Sequence, residues 1–195
     1  MADRPTSDLE TPPARLFLGV EIPDDAKRAI AAAIEPLREV FPRVRWLPAA
    51  NWHVTLKFLG PTLSPLVPWI EQTVGGLAIE HAPARVSVRG IGAFPGMGRA
   101  RVVWAGVDDP TDAMTLLASG LDAALATEFR ADMRAFTPHV TVARPEPPIR
   151  LADAIAEAGT LSTVPFLIDR VVLFRSHLRR PAPRYEAIAA FPLGG

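Results

Sequence analysis

The chain has 195 residues, of which 49% are hydrophobic and 22% charged, a composition that fits one globular domain and excludes general disorder. Lys and Arg (21) balance Asp and Glu (21), which argues against a protein that holds long nucleic acid through many phosphates. The chain has no cysteine, so disulfides, thiolate metal sites and cysteine nucleophiles are excluded. We therefore expect a cytoplasmic protein, and the absence of a long uncharged apolar run predicts no membrane association.

Apolar segments separated by proline and glycine predict an alternation of strands and helices. Residues 1–14 are expected to form a disordered tail, and residues 15–195 a single domain. Strands are predicted at residues 15–22, 44–46, 52–59, 86–91, 100–107, 138–143, 164–175 and 184–191. Helices are predicted at residues 25–40, 66–78, 112–128 and 150–158, the first with Asp24 as its N-cap.

The two halves of the chain repeat one another. The segment His-Val-Thr-Leu at residues 53–56 matches His-Val-Thr-Val at residues 139–142, an offset of 86 residues. The same offset aligns residues 15–18 with 101–104 and residues 86–89 with 172–175. Three segments at one offset indicate a duplication, and a duplicated chain is expected to fold about a pseudo-twofold axis.

The repeated motif lies inside a predicted strand in both halves. Because side chains alternate along a strand, His53 and Thr55 share one face, and His139 and Thr141 do the same in the second half. The opposite face is apolar and is expected to pack into the core. A pseudo-twofold axis between the halves would bring the two polar faces together across one cleft.

Two facing histidines suit acid–base chemistry near neutral pH, because an unperturbed imidazole titrates at ~6.5. One ring can take a proton from the attacking group while the other gives a proton to the leaving group. The two threonine hydroxyls can donate hydrogen bonds to an anion between the rings. This arrangement fits phosphodiester cleavage without a metal. A zinc site is a weaker interpretation, since the chain has only four histidines and no third ligand stands at ligand spacing beside either motif.

In this context the sequence resembles the two-histidine phosphoesterases, and specifically the bacterial RNA 2′,3′-cyclic phosphodiesterases, historically called 2′-5′ RNA ligases. The resemblance depends on the motif segments at residues 51–60 and 138–144, supported by residues 15–23, 90–95, 173–176 and 185–193. The family usually has leucine after each motif histidine, where this chain has Val54 and Val140.

The resemblance implies an α+β fold of two pseudo-twofold-related lobes, with antiparallel sheets facing a central cleft and helices outside. It implies that His53 donates a proton to the leaving oxygen, that His139 activates water, and that Thr55 and Thr141 contact the phosphate. Arg144 matches a family arginine that helps to hold the phosphate, although simple alternation would turn it away from His139. The implied reaction is hydrolysis of an RNA 2′,3′-cyclic phosphate to a 2′-phosphomonoester by a monomer with no cofactor or metal.

Two alternatives to this function stay open at the level of sequence. The substrate could be a small cyclic phosphate, such as a cyclic nucleotide or cyclic ADP-ribose phosphate, instead of an RNA end. The chain could also hold cyclic-phosphate RNA ends without turning them over, although such a binder would not need both imidazoles.

Other residues receive secondary interpretations. Lys57 shares the His53 face by alternation and is expected to be solvated at the rim of the cleft. Trp104 lies in an apolar strand and is expected in the core. A basic cluster near the C-terminus is either a contact for RNA or a solvated surface; it comprises Arg175, His177, Arg179, Arg180 and Arg184.

Overall fold

The computed structural model describes residues 12–178 and 182–194, apart from the side chain of Glu157. Most of the predicted tail therefore lies outside the described residues, as do Arg179 and Arg180 of the basic cluster. The first strand begins at Ala14, one residue inside the predicted tail. Within the described part of the chain, no helix is long and apolar enough to cross a membrane.

The described residues form an α+β fold, as predicted. The strands are β1 (Ala14–Glu21), β2 (His53–Thr62), β3 (Ala84–Phe94), β4 (Val102–Asp108), β5 (His139–Ala143), β6 (Phe166–Ile168), β7 (Arg170–His177) and β8 (Arg184–Pro192). The helices are α1 (Asp24–Val40), α2 (Val67–Ala78) and α3 (Ala113–Ala124).

The element boundaries differ from the prediction at several points. Helix α1 begins at Asp24 itself, and Pro23 is its N-cap. The strand predicted at residues 164–175 is two strands, β6 and β7, because β6 pairs with β3 whereas β7 pairs with β1 and β8. The helix predicted at residues 150–158 is only a 3-10 turn at Ile155–Glu157.

All eight strands belong to one antiparallel sheet in the order β6-β3-β4-β5-β2-β1-β7-β8. We call the half β2-β1-β7-β8 lobe 1 and the half β5-β4-β3-β6 lobe 2. The two lobes correspond strand by strand, as expected for halves related by a pseudo-twofold axis. They meet where Val54 of β2 pairs with Val140 of β5. The two sheets expected from the resemblance are thus halves of one continuous sheet.

The single offset of 86 residues is wrong outside the motif strands. Strands β2 and β5 correspond at that offset, but Gly19 corresponds to Trp104, since each pairs with the motif threonine of its lobe. Phe94 likewise corresponds to Phe174, because these residues pair with equivalent positions of β4 and β1. Both motif strands carry a bulge at the same place, so the shift comes from connections of different length between the equivalent strands.

The hydrophobic core lies between the helices and one face of the sheet. Val54 and Val140 point into it and are 1% and 0% exposed. Helix α1 contributes Ile30 and Ile34, which are fully buried. Helix α2 packs against α3 and β8, and α3 packs against β2. Burial of this face fixes the register of β2 and β5, because a slip of one residue would place the valines in water.

A β-bulge in β2 reverses the alternation of side chains after Leu56. Thr55 pairs with Gly19 and Lys57 pairs with Leu18, so Leu56 is the extra residue. Leu56 and Lys57 are consecutive buried residues, and Phe58 then turns to the opposite face, where it is 63% exposed. The expectation that Lys57 is a solvated rim residue is therefore wrong.

Lys57 is buried beneath the sheet with its charge fully compensated. Its ammonium forms an ion pair with Asp122 of α3 and donates to the Arg130 carbonyl at 2.7 Å. It also reaches Asp132 at 3.3 Å, so its three donors have three partners. These bonds tie β2 to the chain between α3 and β5, which leads into the second motif.

This ion pair predicts a large stability difference between two aspartate substitutions. Asp122→Asn removes one of the two carboxylates that neutralise the buried Lys57 ammonium. It is expected to lower the free energy of unfolding by about 3 kcal/mol. Asp153→Asn breaks an exposed pair with Arg150, of 3.2 Å, and is expected to cost at most about 1 kcal/mol. Urea unfolding of the two variants measures both values. Equal costs would show that Lys57 does not depend on Asp122.

Candidate functional site

The two motifs meet on the face of the sheet opposite the helices. Because Val54 pairs with Val140, the register places His53 across from Thr141, and Thr55 across from His139. All four side chains point away from the core and are half-buried. The pseudo-twofold axis passes between the two valines, so the structure brings together the four motif residues expected at the cleft.

A cleft opens over this junction. His53, Thr55, Thr141 and Arg144 are among the residues that line it. His139 lies on the same face, and its charge is close enough to lower the pKa of His53. The site is therefore built from both lobes.

Both histidines are held in the same tautomer. His53 Nδ1 lies 2.8 Å from the Asn51 carbonyl, and His139 Nδ1 lies 2.7 Å from the Thr137 carbonyl. A carbonyl oxygen only accepts, so Nδ1 carries the proton in each ring and Nε2 is left to face the site. The Thr55 hydroxyl, 3.0 Å away, donates to Nε2 of neutral His53. His139 Nε2 has no hydrogen-bond partner among the described residues.

The His53 ring is enclosed by aromatic side chains. It stacks on Phe17, with centroids 4.7 Å apart, and meets Tyr185 edge-on at 5.1 Å. Gly19 lies beneath the ring, and a Cβ there would clash with the backbone of β2, since it would lie 2.7 Å from the Val54 carbonyl oxygen. The pKa of His53 is lowered to about 4, chiefly by burial and also by the charges of His139 and Arg144, while the bond to Asn51 opposes the shift.

The His139 ring has different neighbours. Trp104 occupies the position that Gly19 has in lobe 1, and it lies 6.2 Å from the His139 ring; Phe94 meets that ring edge-on at 5.1 Å. Trp104 is half-buried on the cleft face, so its expected place in the core is wrong. The pKa of His139 is also lowered, first by burial and then by the charge of Arg144. Both rings are accordingly neutral in the free protein at pH 7.

A second β-bulge places Arg144 at the cleft. Thr141 pairs with Trp104 and Ala143 pairs with Val103, so Val142 is the extra residue of β5. Val142 and Ala143 are both buried, and Arg144 then turns to the face of the histidines. This bulge removes the conflict between alternation and the position of Arg144.

Two functional neighbours were not singled out from the sequence. Asn51 fixes the His53 tautomer through its carbonyl, while its side-chain amide donates to the Pro183 carbonyl at 2.6 Å. Tyr185 covers the His53 ring, and burial raises the pKa of its hydroxyl. The Asn51 amide and the Tyr185 ring contact distant segments, which no local pattern records, whereas the Asn51 carbonyl bonds to His53 only two residues away. Of the basic cluster, His177 is paired with Glu186 at 2.7 Å.

The described residues contain no group of three or more histidine and carboxylate side chains placed to hold a metal ion. The site offers instead two imidazoles, two hydroxyls and one guanidinium. The hydroxyls and the guanidinium can donate hydrogen bonds to an anion, and the imidazoles can exchange protons with it.

Comparison with known proteins agrees with this chemistry. The 2'-5' RNA ligase superfamily matches residues 23–180. An RNA 2',3'-cyclic phosphodiesterase of Geobacillus stearothermophilus is 31% identical over 92% of this chain, which spans 57% of that protein's length. One from Archaeoglobus fulgidus is 32% identical over 91% of this chain and 99% of its own length. A crystal structure from Thermus thermophilus superimposes with a TM-score of 0.77, at 28% identity, covering 93% of this chain and 98% of that one.

The protonation state of the two rings can be tested directly by histidine ring NMR. In the free protein the His53 resonances are expected to stay those of neutral imidazole until the pH approaches about 4, with His139 titrating below its ordinary range. Saturating inorganic phosphate is expected to raise both pKa values, because an anion between the rings favours their charged forms. A His53 that titrates near 6.5 in the free protein would contradict the described burial.

Proposed function

The chain belongs to the 2'-5' RNA ligase superfamily, and we propose that it hydrolyses RNA 2′,3′-cyclic phosphate ends by a metal-independent mechanism in which two histidines exchange protons with the substrate. The single observation that carries the mechanism is the meeting of the two motif faces around Val54 and Val140. Two relatives that match over most of this chain bear the name RNA 2',3'-cyclic phosphodiesterase. One chain supplies every residue of the proposed site, and we propose that it acts as a monomer in the cytoplasm.

The anion is held between the lobes. Arg144 reaches the cleft and supplies a guanidinium, whose planar fork suits phosphate oxygens. Thr55 donates to His53 Nε2 in the free state; once His53 is protonated, that hydroxyl is free to donate to a phosphate oxygen. Thr141 offers a second hydroxyl from the other lobe.

Two proton transfers accompany one bond exchange. His139 Nε2 takes a proton from water as the water oxygen bonds to phosphorus, while the bond from phosphorus to O3′ breaks. His53 Nε2–H gives its proton to O3′. The products are a 2′-phosphomonoester, neutral His53 and protonated His139, and exchange with solvent restores the starting state.

The low pKa of His53 makes its acid role depend on the substrate. In the free protein burial keeps the ring neutral at pH 7. A bound cyclic phosphate brings a negative charge into the same low-dielectric site and favours the imidazolium. His53 is thus charged when the anion is present, and it becomes a strong proton donor because its own burial disfavours the charge.

Substitution of the motif residues is expected to separate their roles. His53→Ala and His139→Ala should each lower kcat at least ~10²-fold, since each removes one proton transfer. The double variant should lose much less than the product of the single losses, because the two residues act together. Thr55→Val and Thr141→Val should cost less. Turnover of a 2′,3′-cyclic-phosphate dinucleotide in saturating EDTA measures each loss.

The control for these variants is His81→Ala, which removes a histidine outside the cleft lining and should leave turnover unchanged. A folded double variant with wild-type turnover would contradict the two-histidine mechanism. Loss of wild-type activity in EDTA, restored by added zinc or magnesium, would contradict metal independence.

A further inference from the structure

The cleft continues along β1 beyond the motif residues. Thr55 pairs with Gly19, and Arg15 stands four residues before Gly19 on the same strand. A strand rises roughly 3.3 Å per residue, so Arg15 and Gly19 are about 13 Å apart along β1. Both Thr55 and Arg15 are among the residues that line the cleft. The cleft is therefore longer than a single cyclic phosphate requires.

Arg15 and Ser176 form a cross-strand pair at this far end of the cleft. They stand directly opposite each other in β1 and β7, so their side chains share one face of the sheet. Both line the cleft, with Arg15 exposed and Ser176 half-buried. The ion pairs formed between described residues do not include Arg15. The pair therefore offers a guanidinium and a hydroxyl side by side, a donor set that suits phosphate oxygens.

Arg15 lies apart from the place where the reacting phosphate is held. Phe17 and Phe58 pair across β1 and β2, and they stand between Arg15 and the motif threonine of β2. Arg144 is close enough to His53 for its charge to lower the pKa of that ring, whereas Arg15 is not among the charges that do so. The cleft thus has two separate cationic positions, with an apolar stretch between them.

The basic cluster near the C-terminus does not supply this second cation. Its described members are Arg175, His177 and Arg184, and none of these three lines the cleft. Arg175 is adjacent to Ser176 on β7, so alternation turns its side chain to the opposite face of the sheet. A chain held in the cleft therefore meets Arg15 and not this cluster.

We propose that Arg15 and Ser176 bind the phosphodiester that joins the terminal nucleotide of the substrate to the preceding one. This inference rests on the proposed function and adds a minimum length to the substrate. An RNA end carries a second phosphate on the 5′ side of the ribose that bears the cyclic phosphate, whereas a cyclic mononucleotide with a free 5′-hydroxyl carries none. Two separate cationic positions therefore favour an RNA end of at least two nucleotides over a cyclic mononucleotide.

The test measures KM for three substrates that differ in the second phosphate. Adenosine 2′,3′-cyclic phosphate lacks it, the 5′-phosphorylated form of that nucleotide has it without a second base, and the dinucleotide ApA 2′,3′-cyclic phosphate has it within a chain. Arg15→Gln is expected to raise KM about tenfold for the two substrates with the second phosphate, because a charge-assisted contact is lost. Its KM for the first substrate should stay that of the wild type. Ser176→Ala should give the same pattern with a smaller rise, and added NaCl should reduce the difference between wild type and Arg15→Gln.

The matched control is Arg101→Gln, which removes an exposed arginine outside the cleft lining and should leave KM for all three substrates unchanged. An equal effect of Arg15→Gln on all three substrates, or no effect on any, would overturn the inference. A rise of KM for the dinucleotide in Arg184→Gln alone would also overturn it, because the RNA would then lie on the basic cluster. The same holds for an effect of Arg15→Gln confined to cyclic ADP-ribose phosphate, whose diphosphate is another source of a second anion.

Calorimetry separates this inference from turnover. Arg15→Gln should weaken binding of the dinucleotide product ApA 2′-phosphate about tenfold and leave binding of adenosine 2′-phosphate unchanged. That result with no turnover by the wild-type protein would count against the proposed reaction alone. Equal binding of the dinucleotide product by wild type and Arg15→Gln would count against the subsite of Arg15 and Ser176.

Discussion

The site depends on one backbone pairing, that of Val54 with Val140 at the junction of the two lobes. Both valines are buried against the helices, so the hydrophobic effect holds them on the core side. In an antiparallel pair the residues flanking them must then point to the other face. A histidine and a threonine from each lobe therefore face the same cleft without any direct bond between the two motifs.

Two β-bulges determine which further side chains face the cleft beside the motif residues. Each bulge inserts one buried residue, Leu56 or Val142, directly after the motif threonine. The following residue is also buried, and the side chain after that one faces the cleft. In lobe 2 that side chain is Arg144, which supplies charge for an anion; in lobe 1 it is Phe58, which supplies an apolar surface. The difference between Gly19 and Trp104 adds to the asymmetry, because the glycine lies next to the His53 ring and the indole lies next to the His139 ring. Duplication thus provides two histidines, and local irregularities distinguish them.

The sequence is sufficient to predict the α+β class, the repeat and the facing of the motif residues, because these follow from alternation and self-similarity. Lys57 shows that alternation alone does not predict a β-bulge. Regular alternation would place its side chain beside His53, but the bulge turns it to the other face, where it is buried against Asp122. The sequence contains only a weak sign of the equivalent bulge in β5: Val142 and Ala143 are two successive apolar residues, where a regular strand would have one apolar and one polar residue. Tyr185 could not be found locally, since its contact with His53 joins segments far apart in the chain. Asn51 acts on His53 through its backbone carbonyl, which its side chain does not signal in the sequence.

The central claim is that both histidines move protons and neither bonds to phosphorus. Hydrolysis of a single diastereomer of uridine 2′,3′-cyclic phosphorothioate in ¹⁸O-labelled water tests it most directly, since the product's configuration at phosphorus counts the displacements. One in-line attack by water, activated by His139 and completed by His53, predicts inversion. Retention would contradict the account, because it requires two displacements through a phosphohistidine intermediate.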